Sequence, residues 1–320
     1  FYTPKAVSQI LAGIVTHGRT SASVYDPTCG SGSLLLSVGE QLTDEGKPFE
    51  VTKYAGQELT TLTYNLGRMN LILHGVSWDK IDMVNDDTLT SPGHLGEKFG
   101  AIVANPPYSL KWGGSADPKV ARDDRFTVLG GHSPKQYADL SFVQHMLYHL
   151  EDDGVMAVVL PHGILFRGAA EGRIREEIVR NNLLDAVISL PTNIFYGTGI
   201  GTVVAVFKKG RTTDEVLFVD ASSEFVKSAP RNYLSAENVE TIVHLYKERS
   251  EVEKVAHVAT FEEIEENGFN LNIPRYVDAT EDEEPVDLDA VEDDIREQRA
   301  VIEILDATIK AMTEELRWSS

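Results

Sequence analysis

The residues best equipped for chemistry form one short run, Asn105-Pro106-Pro107-Tyr108, directly after an apolar stretch at 101–104. Two prolines fix φ and remove two backbone donors, leaving a stiff segment whose carbonyls point outward. The Asn105 amide oxygen and the Pro106 carbonyl can each accept one N–H, and Tyr108 offers a flat face. That set suits an amino group attached to a planar ring. Two acceptors draw the nitrogen lone pair out of conjugation while the tyrosine stacks on the ring. The plainer alternative is a proline turn that ends a strand.

A second run, Asp26-Pro27-Thr28-Cys29-Gly30-Ser31-Gly32-Ser33-Leu34, follows another apolar stretch and opens a helical pattern. Its glycines let a backbone pass close to a ligand, and a helix N-terminus offers free N–H groups. As a dinucleotide fingerprint it fails, because Leu35 stands where a third small residue belongs and Asp-Pro is foreign to that motif. A tight strand–helix turn would show the same Gly-x-Gly. Its company adds meaning. Glu58 ends the next strand, where a carboxylate can accept from both ribose hydroxyls. Asp86-Asp87-Thr88-Leu89 follows the third, where an aspartate can accept from an adenine amine. Each acid alone reads as a solvated loop residue, but three after three consecutive strands match the polar handles of an adenosine-containing cofactor.

The elements that must position these runs are legible as alternation. Strands are expected at 24–26, 53–57, 81–84, 101–104, 155–160, 186–190 and 202–207, and helices at 33–42, 60–74, 139–150 and 171–181. Near-continuous apolar strands separated by amphipathic helices imply an α/β fold with a parallel sheet covered on both faces. Ligands of such sheets bind beyond the carboxyl ends of the strands, where the two runs lie. Residues 109–136 break the rhythm. They hold four glycines, two prolines and the cations Lys111, Lys119, Arg122, Arg125 and Lys135 against three aspartates. They read either as a mobile surface loop or as a segment covering substrate.

Beyond Arg211 the pattern loosens into a strand at 215–219 and a helix at 236–250. Residues 278–294 are dominated by Asp and Glu. From there Leu288, Val291, Ile295, Ile302, Leu305, Ile309, Met312 and Leu316 recur at alternating spacings of three and four, with Gln298 the one polar interruption. A strict 3.5 repeat makes a narrow seam for another helix. The expectation is a docking helix for a partner or a second copy, the alternative a helix packed on its own domain.

Composition limits the function classes. The 320 residues carry 29 basic and 50 acidic side chains, a net charge of −21. Taken alone, that argues against an autonomous nucleic-acid binder, since phosphate neutralisation needs Lys and Arg. The acidity is uneven, however: residues 251–320 hold 21 acidic and 6 basic residues, net −15, which leaves only −6 on the rest. A single cysteine, Cys29, excludes an intrachain disulfide framework and fits a reducing cytoplasm. No apolar run approaches the roughly 18–20 residues of a membrane span, and no signal peptide is visible. The chain opens at Phe1 within a motif, so it reads as a fragment. His145 and His149 lie at i, i+4 without a third ligand and read as a helix-face pair without metal. Gly197-Thr198-Gly199-Ile200-Gly201 lacks the lysine of a phosphate loop and reads as a flexible turn.

Together these runs resemble a known family. Asp26-Pro-Thr-Cys-Gly-Ser-Gly and Asn105-Pro-Pro-Tyr are similar to the cofactor and catalytic motifs of amino-group DNA methyltransferases that use S-adenosylmethionine. Phe1-Tyr2-Thr3-Pro4 resembles the segment closing over the methionine part of that cofactor in the N6-adenine subgroup. The likeness to modification (M) subunits of type I restriction–modification systems extends through Tyr137-Ala138-Asp139-Leu140-Ser141-Phe142, Val159-Leu160-Pro161-His162-Gly163-Ile164-Leu165-Phe166-Arg167 and Leu190-Pro191-Thr192-Asn193-Ile194-Phe195-Tyr196. It covers roughly residues 1–250. The family's helical region before Phe-Tyr-Thr-Pro has no counterpart here, and Tyr108 stands where many members have Phe.

The resemblance implies a doubly wound, mostly parallel seven-stranded sheet of the class I, Rossmann-like methyltransferase kind with a C-terminal helical extension. It implies a catalytic domain at 1–210, an α/β extension at 211–280, and an acidic segment with a docking helix at 281–320. Tyr2, Thr3 and Pro4 would contact the cofactor, and Asp26, Gly30 and Gly32 would cradle it. Glu58 would hold the ribose and Asp87 the adenine amine. Thr28, Ser31, Ser33, Leu34, Leu59, Thr88, Leu89 and Asn105 complete the cofactor set. Asn105, Pro106, Pro107 and Tyr108 would hold a flipped adenine, with Lys111 and Phe195 as further base or DNA contacts. A buried core aromatic is the alternative for Phe195. The implied partners are duplex DNA, a specificity subunit bound by two M subunits, and a restriction subunit, in a bacterial or archaeal cytoplasm without membrane attachment. The rivals are a methyltransferase for protein glutamine or RNA, a nucleotide-dependent oxidoreductase, and a non-catalytic assembly subunit that retains the fold.

Overall fold

Apolar runs and helical patterns alternate along the chain because most of the runs become strands with both faces buried, while the run at 81–84 is half-buried. In a computed structural model, which describes residues 3–279 and 288–318, nine strands join one sheet. They are β1 (Ser21–Asp26), β2 (Glu50–Gln57), β3 (Ile81–Val84), β4 (Phe99–Ala104), β5 (Leu150–Pro161), β6 (Leu184–Ser189), β7 (Thr202–Lys208), β8 (Val216–Asp220) and β9 (Ala256–Ala259). The helices are α1 (Lys5–Val15), α2 (Ser33–Gly39), α3 (Thr61–Leu73), α4 (Asp124–Thr127), α5 (Asp139–His149), α6 (Ala169–Arg180), α7 (Ala236–Glu248), α8 (Phe261–Glu266) and α9 (Leu288–Trp318).

The sheet order is β3-β2-β1-β4-β5-β7-β6-β8-β9. The first seven positions are the expected seven-stranded sheet. β8 and β9 widen it, so residues 211–279 continue the sheet of residues 1–210 rather than starting a new layer. Most pairs are parallel. β7 runs antiparallel to both β5 and β6, and β9 antiparallel to β8. Side chains alternate between the two faces with the period of two that a strand imposes. Met156, Val158 and Leu160 of β5 pack into one core with α5, α6 and α8, while Val155, Ala157 and Val159 pack into the other with α1, α2 and α7.

The order reverses between β1 and β4. The chain leaves β1 towards β2 and β3 on one side and returns to β4 on the other, and β1 pairs directly with β4 through Val24↔Ala101 and Tyr25↔Ile102. This switch point sets the end of β1, at Asp26, beside the end of β4, just before Asn105. Crevices at such points are where open α/β sheets bind ligands.

Residues 280–320 separate from the rest as a second unit. Within it α9 is one helix of 31 residues. Of the seam side chains, Val291, Ile295, Ile302, Leu305, Ile309 and Met312 are all exposed. None of the described helices is long and apolar enough to cross a membrane.

Candidate active site

A cavity of about 1020 Å³ opens beyond the carboxyl ends of β1 to β4. Its nucleotide-like half begins at Asp26, the last residue of β1. Asp26 is fully buried, and its Oδ1 accepts the Thr28 backbone N–H at 2.9 Å. Its Oδ2 is buried without a hydrogen-bond partner. Loss of hydration, reinforced by the nearby Glu58 carboxylate, pushes the Asp26 carboxyl up to about 7. Gly30 and Gly32 take φ of 53° and 75°, a left-handed turn that favours glycine, and lead the chain into α2. The turn is backed by α3, where a Cβ on Gly67 would sit 2.7 Å from the Gly30 carbonyl oxygen. Glycine in that helix is therefore a packing requirement.

Glu58, just after β2, is held by two backbone donors: Oε2 accepts from Gly30 N at 3.1 Å and Oε1 from Thr60 N at 2.8 Å. Each oxygen keeps a second lone pair for a ligand. After β3, Asp87 Oδ1 accepts the Leu89 N–H at 2.8 Å, and the Thr88 hydroxyl donates to the Pro27 carbonyl. Three acids after three strands thus converge on one wall, joined there by Thr28, Ser31, Ser33, Leu34, Leu59, Thr88 and Leu89.

The opposite half is built from the residues after β4. Asn105, Pro106, Pro107 and Tyr108 all line the cavity. The Tyr108 hydroxyl donates to Asn105 Oδ1 at 2.7 Å, and Asn105 Nδ2 donates to the Thr3 hydroxyl at 3.0 Å. Burial pushes the Tyr108 phenol up, so it stays protonated. The run ends at Ser109, whose φ of 52° is unusual for a residue with a side chain. Its N–H donates to Oδ1 of the buried Asp139 at 2.8 Å. Arg167 stands 3.6 Å from Asp139 Oδ2 and lies over the Tyr137 ring. Two of the motifs quoted above therefore meet behind the Asn-Pro-Pro-Tyr run and brace it.

The segment 109–136 contributes to the cavity wall. Leu110, Lys111, Trp112, Gly113 and Asp117 line the cavity, and the rest is stapled down. Arg125 is buried and donates to the Thr88 and Leu89 carbonyls at 2.9 and 2.7 Å while pairing with Asp123 at 2.6 Å. Gln144 Nε2 on α5 donates to the carbonyls of Phe126, Leu129 and Gly131. One of the loop's apparent surface cations is thus an internal tie between the segment 109–136 and the segment after β3. His145 belongs to the same network, bonding Arg125 through Nδ1 at 2.8 Å and Tyr25 through Nε2 at 3.0 Å. Burial holds it neutral, and His149 beside it is lowered to about 4.

Not every expected residue reaches the cavity. Pro4 precedes α1, and its carbonyl accepts the Ser8 N–H. Gly32 shapes the turn without lining the space. Tyr2 lies outside the described residues. Phe195 is 4% exposed within the core, as its reading as a core aromatic expects, and it also lines the cavity, 6.3 Å from Tyr108 and edge-on to it. Sequence reasoning missed Cys29, Thr60, Thr63, Trp112, Phe142 and Tyr196 as lining residues. Tyr196 is half exposed at the cavity, with the Arg231 guanidinium 3.6 Å above its ring.

Comparison with known proteins bears on this geometry. A family model described as N-6 DNA Methylase matches residues 1–285. The methylase subunit of the type I restriction enzyme MpnII of Mycoplasma pneumoniae is 38% identical over 309 residues, 93% of this chain and 56% of that protein. The MjaVII methylase subunit of Methanocaldococcus jannaschii is 34% identical over 320 residues, 96% of this chain and 54% of that protein. A crystal structure of the type I restriction-modification system methyltransferase subunit from Streptococcus thermophilus superimposes with a TM-score of 0.81 at 46% identity, covering 87% of this chain and 59% of that one. The chain spans about half the length of the curated relatives it matches. Similarity running through nearly all of it, cavity included, places it: the chain belongs to the N-6 DNA methylase family.

Proposed function

We propose that this chain is the catalytic part of a type I modification subunit that methylates N6 of adenine in duplex DNA with S-adenosylmethionine. The observation that carries the reading is the meeting, in one cavity, of the Asn105–Tyr108 acceptors with the acids after β1, β2 and β3. Two features fit the cofactor. The buried Asp26 Oδ2 lacks a hydrogen-bond partner, as expected where a cation belongs, and the turn at Gly30 and Gly32 leaves room for close approach. Asp26 would face the positive methionine end, Glu58 the ribose hydroxyls, and Asp87 the adenine amine. Bound S-adenosylmethionine supplies a methyl group on a positively charged sulfur.

The chain's own residues then act on the acceptor. Asn105 Oδ1 and the Pro106 carbonyl each accept one N6 proton of a flipped adenine, which turns the nitrogen lone pair out of the ring π-system. Tyr108 stacks on the base and Phe195 closes the side of the slot. Positioning carries most of the rate enhancement. No strong general base is needed, because the methylated ammonium is acidic and gives up its proton readily.

Sequence recognition and most of the grip on phosphate fall to a specificity subunit, bound by two copies of this chain through α9, with a restriction subunit completing the assembly. The test is a tritium-transfer assay on the complete complex with duplex DNA, RNA and release-factor protein offered separately. The proposal requires label in DNA adenine. Label only in RNA or protein would move the enzyme to one of its rivals, and cofactor binding without turnover would make it an assembly subunit.

A further inference from the structure

Resting on the methyl-transfer reading, we propose that Thr3 is a positioning residue: its hydroxyl holds the Asn105 carboxamide with Oδ1 turned towards the target amine. A carboxamide can sit in two orientations of nearly equal shape, and only one presents an acceptor. The other sets an NH2 group against the adenine NH2, donor against donor. Nothing in the adjacent backbone can choose between them, because Pro106 and Pro107 have no N–H to offer Oδ1.

The choice is made by two hydroxyls of different character. Tyr108 donates to Oδ1 at 2.7 Å, and Thr3 receives Nδ2 at 3.0 Å. A phenol is the stronger donor and weaker acceptor, an aliphatic hydroxyl the reverse, so both bias the amide the same way. Oδ1 retains a second lone pair for the incoming amine. Thr3 is also firmly mounted. Only Pro4 separates it from α1, whose Val7, Ile10 and Leu11 are fully buried, and the Pro4 carbonyl accepts the Ser8 N–H within the first turn of that helix. A residue 102 positions away in sequence thereby sets the geometry of the acceptor site. After accepting from Asn105, Thr3 keeps its own proton to donate into the cavity it lines.

The test uses Thr3→Val, which keeps the shape and removes the hydroxyl, and Thr3→Ser, which restores it. In the complete complex, Thr3→Val is expected to lower the methylation rate at saturating cofactor and DNA about tenfold, the effect of one oriented hydrogen bond expressed in the transition state. The loss should appear in the rate at saturating cofactor, whatever the change in the S-adenosylmethionine dissociation constant by calorimetry, and Thr3→Ser should recover most of the rate. Lost cofactor affinity with an unchanged rate at saturation would make Thr3 a cofactor contact and overturn the proposal. So would a Thr3→Val protein unchanged in both. A crystal structure of Thr3→Val reads the carboxamide without any turnover: Asn105 should leave its present orientation, and an undisplaced Asn105 refutes the claim. A wild-type complex inactive on DNA would instead refute the functional reading, while the crystal still decides the role of Thr3.

Discussion

Replacing Asp26 by asparagine should stabilise the cofactor-free protein and destroy cofactor binding. The carboxyl is fully buried, and one oxygen has a hydrogen-bond partner while the other has none. Its pKa rises from the ordinary 3.8 to about 7. A folded-state pKa above the unfolded one means that the group's contribution to stability is fully present below about pH 4 and lost as pH climbs through 7. At about 1.4 kcal/mol per unit, ionisation costs about 4 kcal/mol at pH 8 and only about 1 kcal/mol at pH 4.5. Asparagine keeps the acceptor for Thr28 N and carries no charge. Urea unfolding of both proteins at the two pH values should therefore show Asp26→Asn gaining stability at pH 8, with most of the gain gone at pH 4.5. Calorimetry at pH 8 should show its affinity for S-adenosylmethionine lowered by two orders of magnitude or more, the order of removing the partner of a buried charge. A variant no more stable than wild type at pH 8, or one that still binds cofactor normally, would refute the reasoning.

Three further outcomes are expected. Cofactor affinity should strengthen about tenfold between pH 5.5 and 7, because binding a cation beside Asp26 releases its proton; a flat profile in wild type would remove Asp26 from the site. Arg125→Met should cost about 3–5 kcal/mol in urea unfolding, since it strands Asp123 and two carbonyls around a buried charge site; a loss below about 1 kcal/mol would mean the loop is held by something else. Deleting residues 288–320 should impair assembly with the specificity subunit on gel filtration and spare cofactor binding, and unchanged assembly would remove α9 from the interface.

Much of the fold is legible because fully buried strands have a plain composition. The runs at 101–104 and 202–207 reappear within β4 and β7, which are buried almost throughout. What apolar runs do not encode is direction. Nothing in Thr202–Lys208 announces that β7 runs against both neighbours. The helix α1 is not among the expected helices although Val7, Ile10, Leu11 and Ile14 have helical spacing, because eleven residues show that period only three times. The short β9 and α8 carry too few residues for a period to show.

The site divides along the same lines. Residues that follow strands, such as Glu58, Asp87 and Asn105, were found because the topology says where a strand's end must face. Residues brought in by irregular chain were not. Trp112 and Tyr196 reach the cavity through turns that no periodicity describes, and Arg125 reads as a surface cation until its burial is seen. Even the uneven charge acquires a meaning only here. On the proposed function, residues 1–250, of net −6, would hold a DNA base with a partner supplying the grip on phosphate, and the strongly acidic stretch 251–320 ends in a helix patterned for docking.

The most direct test of the central claim is nucleoside analysis of duplex DNA treated with the complete complex and S-adenosylmethionine, using wild type and Asn105→Ala side by side. The account predicts N6-methyladenine from wild type. It predicts a loss of at least about a hundredfold with Asn105→Ala, of the size seen when an oriented transition-state hydrogen bond is removed, with cofactor affinity nearly unchanged. Wild-type complex that binds cofactor normally yet leaves no N6-methyladenine, or an Asn105→Ala complex that methylates at the wild-type rate, would contradict it.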